Sequence, residues 1–350
     1  MLLKFSRLAA VLIAGANLVT ALTWHSADFS SLINLENSGI RYKDNGATTP
    51  LETILHNHGV NLARIRIWTS SNNTSYSLSY GLALAKRARA AGMSLLVDLH
   101  YSDTWADPAH QAIPSGWPTT VSGLNTQIYT YTLNLVNAFN NQGTPISLIQ
   151  IGNEISDGFL WPVGRLSTNG FSPASQMLHS AISAVRTASP STRTVIHLAN
   201  GWDASATNWF YNSIFISGQL SLADVDILGF SFYPFYGTSA TYSNLQSNLQ
   251  ALVNKFGKDV MVVETDWPAS CSSSVALSQN IAVSAAGQQS WVLGIRNVLS
   301  AISGGHGIGI SYWEPAWIGN AGLGSSCADN LVVDGSGNTR SSVAMFSASM

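Results

Sequence analysis

Two stretches of the sequence end an aliphatic run abruptly on a carboxylate. LIQIGNE closes on Asn153 and Glu154, and VVETDW places Glu264 at the end of a similar run. Two carboxyl groups facing each other across a cleft are what glycoside hydrolysis needs. At a separation of about 5–5.5 Å one attacks the anomeric carbon, while the other protonates the leaving oxygen and later activates water. The acid must keep its proton near working pH, which burial and a second carboxylate supply, and the nucleophile must stay ionised. Arg66 offers Glu264 a fixed positive charge and Tyr233 offers it a hydrogen bond. Alternate strand residues share a face, so Arg64 points inward if Arg66 does, and Arg66 is taken as the nearer to the site. Asn153, beside the acid, can bind a sugar hydroxyl next to the reacting carbon. A structural reading stands beside each assignment: Glu154 satisfying amides at a helix start, Glu264 in an ion pair with Arg66.

Other apolar runs end in the same way, on Asp98 and His100, on His197, on Trp267, and on Trp313 with Glu314. Nine tryptophans follow such ends: Trp68, Trp105, Trp117, Trp161, Trp202, Trp209, Trp267, Trp313 and Trp317. Flat indole faces suit the C–H faces of pyranose rings, although about half of them are expected to serve packing alone. The segment from His100 to Pro118 is long and rich in Trp, His and Asp, and reads as a substrate wall. The histidines lack the spacing of a zinc site, and no Gly-x-Ser-x-Gly elbow follows a strand, so neither a catalytic metal nor a serine triad is expected.

Eight apolar runs recur, near residues 23, 62, 94, 148, 194, 226, 259 and 307. Amphipathic stretches lie between them. Tyr80 to Gly92 is one, and another follows Ser172, expected as an N-cap, with Pro173 just inside. Eight buried strands alternating with helices predict an α/β fold, a (β/α)8 barrel with long loops at the C-terminal face, where such folds carry their chemistry. An open doubly wound sheet is the alternative, but it would want a glycine-rich turn after the first strand. No linker divides residues 22–350, which implies one domain.

The 350 residues carry 16 basic and 18 acidic side chains with no run of like charge, which disfavours nucleic acid and anionic membranes as partners. Lys4 and Arg7, an apolar run and a small-residue exit at Val19-Thr20-Ala21 read as a secretory signal peptide over residues 1–21. Secretion favours pairing of the two cysteines, Cys271 with Cys327. Asn72 and Asn73 begin overlapping glycosylation sequons.

The motifs RIRIW (64–68), DLHYSDTWADPAHQ (98–111), IGNEISDGFLWPVGR (151–165), HLANGWD (197–203), GFSFYPFY (229–236), VVETDWP (262–268) and SYWEPAWI with GSSCADN together span almost the whole mature chain. In these motifs the sequence resembles glycoside hydrolase family 53, the arabinogalactan endo-β-1,4-galactanases, in its fungal form. The resemblance implies Glu154 as acid/base and Glu264 as nucleophile, a retaining double displacement without a cofactor, and β-1,4-galactan as the substrate. It places Arg66, His100, Asn153, Tyr233 and Trp313 around the cleaved bond. Trp105, His197, Asp203 and Trp267, in the matching motifs, are read as further substrate-binding residues. It also implies a disulfide where bacterial relatives can hold calcium. A secreted monomer is expected. Two features depart from the pattern: Ala199 stands where relatives often have Asp, and the segment from Ser272 to Gly287 is plain, which bears on affinity and outer subsites. Another barrel endo-glycanase acting on mannan, xylan or β-glucan, and a non-catalytic polysaccharide-binding wall protein, remain as alternative readings.

Overall fold

The computed structural model describes residues 21–70 and 74–347. The expected leader, apart from Ala21, and both sequon asparagines, Asn72 and Asn73, lie outside the described residues. All eight apolar runs form strands: β1 Trp24–Asp28, β2 Leu62–Ile67, β3 Ser94–Leu99, β4 Leu148–Ile151, β5 Arg193–Leu198, β6 Ile227–Ser231, β7 Asp259–Glu264 and β8 Gly307–Tyr312. Each pairs in parallel with the next, and β8 pairs with β1, so the sheet closes into a barrel. Parallel strands need crossover connections that bury both faces of the sheet, and this is why the runs are aliphatic throughout rather than alternating.

The crossovers are α1 Leu51–Asn57, α2 Leu78–Ala90, α3 Val121–Asn141, α4 Phe171–Ala188, α5 Ala204–Ile214, α6 Tyr242–Phe256 and α7 Ala285–Ser300, with a 3₁₀ segment Ser341–Phe346 in the eighth position. Five of them begin on a side chain that accepts from the first turn: Ser77, Thr120, Asp203, Thr241 and Ser284. The start of α4 corrects the expectation from sequence. Its N-cap is Gly170 at φ 69°, with no side-chain cap, while the Ser172 hydroxyl accepts instead from the Gln176 and Gln219 amides.

The barrel interior is layered. Leu62, Leu96, Leu148, Val195, Ile227, Met261, Val263 and Ile308 fill the lower part. Gly229 is required there, since a Cβ would lie 2.8 Å from Val195 Cγ1. One pleat higher the inward residues become polar: Asp28, Arg64, Asp98, Gln150, His197 and Ser231, all essentially buried. That change of chemistry marks the C-terminal end of the strands, where the site lies.

Candidate active site

Glu154 reaches the mouth through a sharp turn after β4. Gly152 takes φ +85°, and a Cβ on it would meet Ile155 Cγ2 at 2.5 Å, so this position is confined to glycine. Glu154 itself adopts φ +48°, a strained conformation for a non-glycine residue, of the kind that collects at functional sites. On the other side, β6 and β7 fall out of register: Phe230 faces Val262, but Ser231 faces Glu264. The extra residue, Val263, is a bulge, and it lets Val263 fill the interior while Glu264 also turns toward the mouth.

The result brings Glu154 and Glu264 together. One carboxylate oxygen of each, and a ring nitrogen of His197, all lie within 4.8 Å of one another. Both carboxylates line a cavity of about 660 Å³. Glu264 Oε1 lies 2.7 Å from the Arg64 guanidinium, and Glu264 Oε2 accepts from the Tyr233 hydroxyl at 2.9 Å. Glu154 makes no ion pair among the described residues, and its Oε1 accepts from the Ser231 hydroxyl at 2.5 Å. Burial, then the charge of Glu264, push the Glu154 carboxyl up to about 8. Burial also raises Glu264, opposed by Arg64 and by the Tyr233 hydrogen bond. When the pair carries one proton, Glu154 therefore holds it and Glu264 is the ionised member.

Arg64 is the hub of the polar layer. Its guanidinium donates to Asp28, Asp98, Gln150 and Asn153 as well as approaching Glu264. Here the structure corrects the sequence reading, which gave Glu264 to Arg66. Arg66, one pleat higher, is captured by the rim: it donates to Glu314 and Ser31, and its guanidinium lies 4.2 Å from the Tyr76 ring centre and 4.6 Å from that of Trp105. It stands behind the cavity wall and supports Trp105 by charge–π attraction.

His100 and Asn153 line the cavity and pin the loop above it. The Ala106 N–H donates to His100 Nδ1, which leaves Nε2–H to donate to Asp98. The Asn153 amide donates to the Ala106 carbonyl, and Gln111 donates to the Asn153 carbonyl. His197 is fully buried beneath the site, bonded to Gln150 and Ser231, and burial together with Arg64 keeps it neutral, far below its ordinary pKa. It positions Asn153 and Ser231 and does not face substrate space. Two further expectations are corrected. Asp203 is absent from the cavity wall because its carboxylate caps α5, accepting from Ala206 N–H at 3.0 Å. Trp267 is completely buried against Trp291, its indole N–H donating to the Ala282 carbonyl.

Of the nine tryptophans noted, Trp105, Trp313 and Trp317 line the cavity. Trp105 stacks on Trp317 at 6.2 Å and meets Trp313 edge-on. Trp117 packs against Tyr101 and Tyr131 instead, and Trp209 against Phe171. Ala199 lines the cavity, whereas no residue of the plain segment 272–287 does. Sequence reasoning passed over Asn200, Phe235, Tyr236, Asp266 and the stretch Leu323–Ser325, all on the wall. The period-two pattern through Glu264 and Asp266 was a usable signal for the fourth of these. Cys271 and Cys327 are bonded, tying the segment after β7 to the loop that carries Leu323–Ser325.

Glu154, His197 and Glu264 could together offer three ligand atoms to a metal. Their commitments argue otherwise. Both His197 ring nitrogens are engaged by neighbours, and Arg64 places a positive charge 2.7 Å from Glu264.

Comparison with known proteins follows the same line. The family model for glycosyl hydrolase family 53 matches residues 24–348. The arabinogalactan endo-beta-1,4-galactanase of Thermothelomyces thermophilus is 44% identical over 93% of this chain and 99% of its own. A probable arabinogalactan endo-beta-1,4-galactanase A of Neosartorya fischeri is 48% identical over 90% of each chain. Among solved structures, a fungal beta-1,4-galactanase superimposes with a TM-score of 0.90 at 44% identity, covering 93% of this chain and 99% of that one. The family 53 catalytic domain of Ignisphaera aggregans gives 0.81 at 27% identity, covering 93% and 95%.

Proposed function

Because the chain belongs to glycosyl hydrolase family 53, we propose that it is a secreted endo-β-1,4-galactanase that cleaves internal bonds of (arabino)galactan by a retaining double displacement. The observation that carries this reading is the pair itself: Glu154 and Glu264, oxygens within 4.8 Å, over one cavity, with the only cation at the pair beside Glu264 among the described residues. That closeness favours a retaining enzyme, whose carboxyl groups stand about 5–5.5 Å apart, over an inverting one, which holds them at about 6.5–9.5 Å to admit a water.

Glu264 attacks the anomeric carbon as Glu154 gives its proton to the departing glycosidic oxygen, forming a glycosyl–enzyme ester. Water then attacks the same carbon, Glu154 takes its proton, and Glu264 leaves. Tyr233 keeps its proton throughout, since burial and then the charge of Glu264 hold its hydroxyl well above the ordinary tyrosine range. Trp105, Trp313 and Trp317 supply flat faces for sugar rings. The leader and the Cys271–Cys327 bond support export, no helix among the described residues is long and apolar enough to cross a membrane, and we take the working unit as a monomer.

The test is proton NMR of galactan hydrolysis with wild type, Glu264→Gln and Glu154→Gln, beside mannan, xylan and β-glucan. The β-anomer is expected first, from galactan alone, with both variants slowed by about 10³-fold or more. First appearance of the α-anomer, or near-normal rates in either variant, overturns the assignment.

A further inference from the structure

Asp266 is a buried carboxyl that the mechanism above does not use. It follows Glu264 by two residues. Thr265, between them, turns to the helix side, where its hydroxyl accepts from the Trp291 indole and donates to the Phe232 carbonyl. Backbone alternation then sends Glu264 and Asp266 to the same side, toward the mouth, and both line the cavity. Asp266 is 1% exposed, yet no side chain of the described residues donates to it, and its Oδ1 is fully buried with no hydrogen-bond partner. A buried carboxyl oxygen without a partner is costly and uncommon in a folded protein. Asp98, on β3 across the barrel and equally buried, shows the contrast: Arg64, His100 and Gln150 all donate to it.

We propose that Asp266 is a substrate-binding, specificity-determining residue, whose unpartnered carboxyl exchanges a hydrogen bond with one hydroxyl of the sugar ring held against Glu264. The proposal rests on the reading of Glu264 as nucleophile, because that fixes which ring lies beside it. Burial, then the charges of Glu264, Glu314 and Asp28, hold the Asp266 carboxyl well above the usual range, only partly offset by the Trp313 backbone N–H. A neutral carboxyl can donate as well as accept, so it can take a hydroxyl in either sense. It also adds no second negative charge beside Glu264, which would work against ionisation of the nucleophile. Unlike Arg64 and Tyr233, which are engaged by side chains of the protein, Asp266 has only the Trp313 backbone N–H beside it and keeps Oδ1 without a partner. This marks it as a residue that reads the ligand rather than one that builds the site.

The experiment is a coupling measurement between enzyme and substrate. Values of kcat and KM are determined for wild type, Asp266→Asn and Asp266→Ala on an aryl β-1,4-galactobioside and on its three analogues lacking the 2-, 3- or 6-hydroxyl of the ring that carries the aryl group. Asp266→Ala is expected to lose about 10- to 100-fold in kcat/KM on the parent substrate, the cost of one hydrogen bond in a dry site. One deoxy analogue should cost wild type the same factor and cost Asp266→Ala nothing further, while the other two stay additive. Asp266→Asn, which keeps a donor and an acceptor, should retain both rate and coupling. Melting temperatures should fall little, since no side chain of the described residues donates to Asp266 and only the Trp313 backbone N–H is beside it. Additive losses for all three analogues, an Asp266→Ala variant as active as wild type, or an Asp266→Asn variant as impaired as Asp266→Ala overturns the proposal. Measuring Glu264→Gln in parallel separates the two claims. Absent coupling with Glu264→Gln inert removes Asp266 alone, and absent coupling with Glu264→Gln active removes the nucleophile assignment as well.

Discussion

At the scale of residues the decisive object is the Arg64 guanidinium, which binds Asp28 and Asp98 and still lies 2.7 Å from Glu264. Its planar fork meets several acceptors at once, a geometry that an ammonium cannot reproduce. Arg64→Lys is therefore expected to raise the acid limb of the kcat/KM profile on galactan by about one pH unit, because Glu264 loses part of the charge that favours its ionised form. Arg66→Lys is expected to leave that limb in place and to act on KM, through Trp105 and Glu314. If both variants shift the limb equally, the division of labour between the two arginines is wrong. Sequence reading had the inward face of both residues, since alternation sets it. The partner of each was not legible, because it depends on barrel stagger and on rim residues distant in sequence, Ser31 and Glu314, which hold Arg66. Trp267 and Asp203 were misjudged for a related reason: a residue just past a strand end can face core, solvent or cleft, and its type does not say which.

At the scale of elements, eight aliphatic runs were enough to number the strands and close the barrel, because a parallel sheet covered on both faces leaves a strong hydrophobic signature. The bulge at Val263 leaves none, since valine suits either face, and yet it is what turns Glu264 toward Glu154. The start of α4 slipped by two residues because Gly170 supplies its entry turn, leaving Ser172 to bond glutamine side chains. The Cys271–Cys327 bond spans 56 residues and links two elements that shape one end of the cavity. Replacing both cysteines with serine should cost about 4 kcal/mol of stability on the chain-entropy account. Glu154 and Glu264 are held by strands outside this link, whereas Leu323–Ser325 are not. The double variant is therefore expected to keep kcat within about threefold at 25 °C while KM for polymeric galactan rises. A fall in kcat with KM unchanged would show that the bond supports the reacting pair itself.

At the scale of the whole molecule, the barrel buries several carboxyl groups at its mouth. Glu154, Glu264, Asp266 and Glu314 are all raised, burial being the first cause of each. A carboxyl that binds its proton more tightly when folded makes the native state hold more protons than the unfolded chain. Stability then falls as pH rises from the unfolded value, and the fall ends once the folded group has ionised. For Glu154 that window runs from about 4.5 to about 8. On the proposed mechanism activity needs the same proton, so its basic limb should lie in the upper part of this window, while the acid limb follows ionisation of Glu264. Glu154→Gln removes the titrating group but keeps the shape and the acceptor for Ser231. The melting temperature of this variant should match wild type near pH 4, where Glu154 is protonated whether folded or not. It should exceed wild type near pH 8, where wild type must bury a charge beside Glu264. Calorimetry of the two proteins from pH 4 to 8 reads the difference directly. A wild type whose advantage over Glu154→Gln grows with pH would mean that Glu154 is held as a carboxylate, and would remove the basis for its role as the acid.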